Sequence, residues 1–158
     1  MADYTLISVP GGAERERFLP LFLLADESLQ QVRSYMQRGE LFAFVGSDEV
    51  AVGIVLTIPA QLGGVELVSV AVDETQQNRG IGRRMLAAVI DELRRRGVPR
   101  AVLGTANAGI GQLAFYQKAG FRLLRIERDF FSPARGYPAV MEENGIRLRD
   151  MVWMDMEL

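Results

Sequence analysis

Apolar and polar positions alternate along this chain in two rhythms, and each change of rhythm predicts an element. Tyr4–Val9 has the extended, half-apolar pattern of a strand and stops at Pro10-Gly11-Gly12. Residues 13–24 and 27–38 read as two helices, with Asp26 or Ser28 as a cap for the second and Gly39 as its stop. Leu41–Val45 and Val50–Ile58 are predicted strands around a Gly46-Ser47-Asp48 turn, an antiparallel hairpin. A Gly63-Gly64 turn leads to a further strand, Val65–Val72. From about residue 79 to 96 the period changes to that of a helix: Ile81, Met85, Val89 and Leu93 recur at i+4, with Leu86 and Ile90 beside them. The wet side carries the i,i+4 pairs Asp91/Arg95 and Glu92/Arg96, and Gly97 and Pro99 end the helix. Arg100–Gly104 is the next strand and completes a right-handed β-α-β crossover. A short helix over 109–119, a strand from Phe121 to Phe131, a Pro- and Gly-rich loop over 132–145 and a strand near 147–157 follow. Hairpins followed by one βαβ unit predict a single α/β domain over residues 1–158, a mixed sheet flanked by helices, without linker or repeat.

The junction between the 65–72 strand and the long helix carries the most chemistry. Gln77-Asn78-Arg79-Gly80-Ile81-Gly82 places two glycines and a cation at the positive end of a helix dipole, where backbone N–H groups have no helical partner. Such a junction is an anion site, and diphosphate is its usual guest; a Cβ at the glycines would hold phosphate oxygens away from the amides. A tight turn that merely packs is the plainer reading of the same glycines. A dinucleotide fingerprint needs a third glycine where Met85 stands, and no Gly-Lys-Ser/Thr run of a Walker loop occurs.

What remains is Gln-x-x-Gly-x-Gly, with Ser69-Val70-Ala71-Val72-Asp73 in front and Arg83-Arg84-Met85-Leu86 behind. This resembles the acyl-CoA pyrophosphate loop of the GNAT-type N-acetyltransferase superfamily. Some 35 residues on, Asn107 to Phe121 contains Phe115-Tyr116 ahead of Gly120-Phe121, similar to the family's Phe/Leu-Tyr-x-x-x-Gly-Phe helix end. The resemblance covers roughly residues 40–131 well and the ends loosely. It implies a central mixed, mostly antiparallel twisted sheet of about 6–7 strands flanked by about 4 helices, with the βαβ unit carrying the CoA loop.

Composition narrows the function further. A chain of 158 residues with 49% apolar content buries around two-thirds of its unfolded surface. A net charge of −2 provides no basic field for nucleic acid or an anionic membrane. The longest apolar run, Phe18–Ala25, holds a proline and falls far short of a membrane span, so a cytoplasmic protein is expected. Cysteine is absent, which excludes disulfides and thiolate zinc sites, and histidine, the commonest general base, is absent too. Acyl transfer therefore cannot pass through a thioacyl-enzyme; it requires direct attack by the acceptor. The resemblance implies that mechanism, with acetyl-CoA as co-substrate and no metal.

It also implies roles. The backbone of Val70 and Val72 would pair with the pantetheine arm, and the loop Gln77, Asn78, Arg79, Gly80, Ile81, Gly82 and Arg83 would hold the pyrophosphate. Tyr116 would protonate the departing thiolate, although a tyrosine at helical spacing from Gln112 and Ala119 also reads as core. Asn107 would bond the pantetheine or cap the short helix. It stands nine residues before Tyr116 (107 to 116), two more than the family's usual spacing, with Ile110-Gly111 as the extra pair. Glu66, alternating with Val68 and Val70, is the candidate general base if it faces an enclosed cleft, and a solvated strand residue otherwise. Asp26 and Glu27 read as a solvated loop or as carboxylates that attract a cationic amine; Arg125, Arg128 and Arg135 would instead favour an acceptor bearing a carboxylate or phosphate. The expected activity is acetylation of a small-molecule primary amine by a monomer or homodimer. A peptide or protein acceptor, or a CoA-binding module without turnover, are the alternatives.

Overall fold

The computed structural model describes residues 2–158. Seven strands form one sheet in the order β1-β2-β3-β4-β5-β9-β6, where β1 is Tyr4–Val9, β2 Glu40–Gly46, β3 Ala51–Pro59, β4 Val65–Val72, β5 Arg100–Ala106, β6 Arg122–Glu127 and β9 Met151–Glu157. Two short strands, β7 (Glu142–Glu143) and β8 (Ile146–Arg147), form a separate hairpin. Every neighbouring pair in the large sheet is antiparallel except β4–β5, the pair that flanks the crossover.

Four α-helices cover the sheet: α1 Leu19–Ala25, α2 Leu29–Tyr35, α3 Ile81–Arg95 and α4 Ile110–Lys118. The predicted first helix is in fact a 3-10 turn over Ala13–Phe18 followed by α1, because Pro20 sits in the first turn of α1 and suits a helix start. Ser28 caps α2, its hydroxyl accepting from the Gln31 N–H at 3.2 Å. Arg15, 3% exposed, ties this corner together by donating to the carbonyls of Met36, Arg38 and Gly39 at 3.1, 2.7 and 2.9 Å.

The predicted apolar stripe of α3 is the one buried: Ile81, Met85, Leu86, Val89, Ile90 and Leu93 are all within the core. Each such side chain contributes roughly 1.5–3 kcal/mol of transfer free energy. Gly53 on β3 brings the helix close, since a Cβ there would meet Met85 Sδ at 2.7 Å and the Ala71 carbonyl at 2.8 Å. Packing of α3 on the sheet fixes where its first turn, and the loop before it, must lie. A second core under α1 and α2 gathers Phe22, Val32, Met36, Leu41, Ile54 and Leu56 on the opposite face.

Two sequence expectations change at the C-terminal end. The strand expected over 121–131 ends at Glu127, where Asp129 turns left-handed with φ 59°. The expected loop over 132–145 is not featureless: it leads into the β7–β8 hairpin. Among the described residues no helix is long and apolar enough to cross a membrane.

Candidate active site

Strands β4 and β5 pair only at their base, Val65 with Ala101 and Glu66 with Val102. Beyond that point β5 stays paired with β9 along its whole length, and β4 with β3, so the two diverge. The Asp73 N–H donates to the Val52 carbonyl at 2.8 Å. Alternation in an antiparallel ladder then turns Ala71 and Ser69 toward β3, and the peptide groups of Val70 and Val72 toward the open edge. The Val72 carbonyl accepts from Gln77 Nε2 at 3.0 Å, which draws the following loop back over the strand end.

That loop has the geometry of an anion cradle. The backbone N–H groups from Asn78 through Arg83 donate to no acceptor among the described residues; Arg84 is the first to close a helical bond, to the Gly80 carbonyl at 3.1 Å. Gly80, at φ 75° and ψ 6°, is left-handed and caps α3, and Asn78 is left-handed as well. Nothing lies within 4 Å of a Cβ built on Gly80. At Gly82 a Cβ would touch only the Val72 and Phe115 side chains, at 3.4 and 3.6 Å. The second glycine is therefore not demanded by the protein's own packing, and close approach of a ligand is the remaining reason for it. Arg79 and Arg83 stand exposed beside these amides. The residues present fit a diphosphate.

The splay opens into a cavity of about 500 Å³. Leu67, Val68 and Val70 form one side, and Leu103 to Ala106 of β5 the other. Tyr116 of α4 also lines the cavity, its ring edge-on to Phe115 and Phe121 with centroids 5.1 and 6.0 Å away. It is 8% exposed, its hydroxyl has no hydrogen-bond partner among the described residues, and burial pushes its pKa well above that of an ordinary phenol. The core tyrosine and the cavity tyrosine of the sequence reading are thus one residue.

Two other candidates stand elsewhere. Asn107 is tied up in a clamp: its Oδ1 accepts from the Arg149 and Asp150 N–H groups at 2.9 and 3.1 Å, and its Nδ2 donates to the Arg147 carbonyl at 3.1 Å. Those bonds fasten the end of β5 to the β8–β9 connection. The expected helix cap is not among its contacts, and α4 carries no side-chain cap at its N-terminus. For Glu66 the expected alternation fails. The β3–β4 register shifts between Leu56 and Thr57, so Val68 is an extra residue in β4 and the faces exchange across it. Glu66 lies opposite Ile58 rather than on the face of Val70, and it is not part of the cavity wall. Its carboxyl is half-buried and raised above the usual range by desolvation, with Arg38 pulling the other way.

The sequence reading underestimated the α1–α2 connection. Asp26, half-buried, and Glu27, exposed, both line the cavity. Asp26 accepts from the Ser28 N–H at 3.0 Å, the Tyr35 hydroxyl at 3.2 Å and the Tyr137 hydroxyl at 3.5 Å. Burial raises its pKa, and those hydrogen bonds oppose the rise. Tyr137 lies 111 residues away in sequence, so no local pattern links the two. The β7–β8 hairpin adds Glu142 and Glu143 to the same wall, held there by Asn144 Nδ2 on the Ala108 carbonyl at 2.9 Å. None of Arg125, Arg128 and Arg135 lines the cavity: Arg135 pairs with Glu127 at 2.9 Å, and Arg125 lies over the Trp153 ring.

Comparison with known proteins agrees with this geometry. Residues 13–121 match the model of the acetyltransferase (GNAT) family, more than half of the chain. An uncharacterized N-acetyltransferase of Bacillus subtilis, YvbK, is 36% identical over 148 residues, 94% of each chain. A [ribosomal protein bS18]-alanine N-acetyltransferase of Salmonella typhimurium is 37% identical over 71 residues, 45% of this chain and 48% of that one. Among solved structures, a GNAT family acetyltransferase from Elizabethkingia anophelis with acetyl-CoA bound superposes with a TM-score of 0.86, at 34% identity over 98% of both chains. A B. subtilis acetyltransferase in complex with CoA gives 0.85 at 34% identity, over 100% of this chain and 99% of that one. With the splayed strands, the free-amide loop and these matches together, the chain belongs to the GNAT family of acetyltransferases.

Proposed function

We propose that the protein transfers an acetyl group from acetyl-CoA directly to the primary amine of a small molecule, within a ternary complex. The reading is carried by the run of unpaired N–H groups from Asn78 to Arg83, at the mouth of a splay whose cavity Tyr116 also lines. The diphosphate is bound by those amides and by the positive end of α3, and the pantetheine arm lies along the free peptide groups of Val70 and Val72. Relatives bound to acetyl-CoA and CoA support the assignment of the ligand.

The amine lone pair attacks the thioester carbonyl carbon and a C–N bond forms. The C–S bond breaks with its electron pair going to sulfur, and the amine nitrogen releases its proton to water. A thiol of pKa ~8.5 is a modest leaving group, so one phenol donor suffices as help. Tyr116 holds its proton because burial disfavours the phenolate, and it recovers that proton from solvent once the thiolate has taken it. With no cysteine or histidine in the chain, neither a thioacyl-enzyme nor an acyl-imidazole can carry the acetyl group between partners.

A second reading has its own support: the half-chain match to alanine N-acetyltransferases of a ribosomal protein favours the N-terminal amine of a peptide. One experiment separates these readings. Thiol release is followed with acetyl-CoA and a panel of amino acids, polyamines, aminoglycosides and peptides. Small-molecule acceptors should be turned over, with initial-rate lines at fixed amine concentrations that intersect. Turnover of peptides alone would favour the second reading. A rise in melting temperature with acetyl-CoA but no thiol release from any amine would leave a CoA-binding module.

A further inference from the structure

Residues 141–148 form a small unit of their own beside the cavity. Asn144 and Gly145, left-handed at φ 55° and 72°, make the two-residue turn between β7 and β8, and the Leu148 N–H donates to the Met141 carbonyl at 2.8 Å to close the base. Met141 and Leu148, both half-buried, line the cavity together with Met151 of β9. Yet Glu142 through Arg147 are exposed, and no residue of 141–148 belongs to either hydrophobic core. A lone two-stranded hairpin is marginally stable in water, so apolar burial does not hold this one in place. Among the described residues, its hydrogen bonds to the chain before residue 132 run through two asparagine side chains. Asn144 Nδ2 donates from the tip to the Ala108 carbonyl at 2.9 Å, and Asn107 Nδ2 donates to the Arg147 carbonyl at 3.1 Å. Asn107 Oδ1 also accepts from the Arg149 and Asp150 N–H groups just beyond the hairpin, at 2.9 and 3.1 Å. Both fastenings meet at residues 107–108, where Ala108 is fully buried. This is the corner between β5, whose residues Leu103 to Ala106 line the cavity, and α4, which carries Tyr116.

We infer that Asn107 and Asn144 are positioning residues for the acceptor: they pin the 141–148 hairpin to the β5–α4 corner, fix Met141 and Leu148 in the cavity wall at a set place relative to Tyr116, and so govern affinity for the amine but not for acetyl-CoA. This deepens the acetyl-transfer reading and rests on it, because the amine is the ligand that this wall meets. The amides of 78–83 and the peptide groups of Val70 and Val72 belong to other segments, and none of them bonds to the hairpin, so the two binding events should separate.

The test follows thiol release at saturating acetyl-CoA with L-lysine, spermidine, kanamycin and an alanine-initiated hexapeptide, and takes the acceptor that the parent uses with the highest kcat/KM. Calorimetry reads acetyl-CoA affinity in parallel. Asn107→Ala removes three bonds and should raise the amine KM roughly tenfold or more. Asn107→Asp still accepts from the Arg149 and Asp150 N–H groups and should raise it less. Asn144→Gly suits the left-handed turn and removes only the bond to Ala108, so KM should rise roughly threefold. In all three variants kcat and acetyl-CoA affinity should stay within about twofold of the parent. A residue that merely supported the fold would instead lower Tm and both affinities together. A folded Asn107→Ala variant with the parent's amine KM would overturn the inference. So would a matching loss of acetyl-CoA affinity, which would give Asn107 a contact with the cofactor. If Asn107→Ala does not fold, Asn144→Gly decides by the same readings. Thiol release from none of the four amines removes the acetyl-transfer reading and the inference with it. Thiol release with an unchanged KM in the variants removes the inference alone.

Discussion

The β4–α3 loop and the cavity beside Tyr116 are built in opposite ways. The β4–α3 junction offers backbone groups from one short, contiguous segment. In the cavity, the polar features are side chains: Asp26 after α1, held by Tyr35 at the end of α2 and Tyr137 in the segment beyond β6, and Glu142 and Glu143 on the hairpin. A diphosphate is the same in every acyl-CoA and can be held by generic amides at a helix end. Acceptors differ, and discrimination among them needs side-chain charge and shape, for which the cavity with its four separate pieces of chain is the proposed source. Substitutions on the two sides should therefore fail in different ways.

The largest loss is expected on the cofactor side. Gly80→Asp or Gly82→Asp places a carboxylate among the free amides and should abolish acetyl-CoA binding by calorimetry. Left-handed backbone costs an ordinary L-residue roughly 1–2 kcal/mol, so Gly80→Asn, which tolerates that region, separates strain from charge. Gly80→Asn should fold as the parent does and bind acetyl-CoA measurably, whereas parent affinity in either aspartate variant would remove the loop from the site.

Next in size is the reacting centre. Tyr116→Phe keeps both edge-on ring contacts and removes only the hydroxyl, so kcat should fall roughly 10- to 1,000-fold with little change in acetyl-CoA affinity. Because burial holds this phenol protonated, the parent rate should show no alkaline fall from Tyr116 up to pH ~10, the ordinary phenol pKa. Full kcat in Tyr116→Phe would make the hydroxyl structural. Glu66→Gln sharpens the same comparison from the other sheet face. If Glu66 takes the amine proton, the acidic limb of the pH–rate profile moves upward; its place outside the cavity wall predicts a profile that stays where it was.

The smallest effects concern stability. Asp26 and Glu66 both have folded-state pKa values above their ordinary ones, chiefly through desolvation. The folded state therefore prefers their protonated forms. Their contribution to stability is fully present below the unfolded pKa and is lost as pH rises through the folded pKa. At neutral pH each carboxylate is a burden, so Asp26→Asn and Glu66→Gln should raise Tm at pH 7 by an amount on the order of a few degrees, with the gap closing toward pH 4. A lowered Tm for Asp26→Asn at pH 7 would show that its three donors outweigh desolvation.

How much of this could be read from the chain follows the same division. The loop and α3 were legible because their signals are local: glycine where backbone must turn left-handed, and an apolar period of 3.6 that survives any tertiary context. Glu66 was misplaced because alternation assumes an unbroken strand, and a single extra residue at Val68 exchanges the faces. Asn107 carried the right type for a ligand contact, yet its carbonyl and amide ends satisfy backbone groups of 147–150 that no spacing rule foretells. Arg125 and Arg135 looked like part of an anion site in sequence and are instead stacked and paired outside the cavity.

Sequence alone settled the βαβ unit, the glycine junction that opens α3 and the lack of cysteine and histidine, since backbone conformation and residue inventory are properties of contiguous chain. Only the tertiary structure decided that β4 and β5 part after Glu66, which depends on β5 pairing with β9 at the far end of the chain. It alone set Asp26 under the Tyr35 and Tyr137 hydroxyls and turned Glu66 to the other face. Those arrangements come from packing and register between distant segments, where hydrogen-bond satisfaction across the whole sheet, rather than any local preference, selects the outcome.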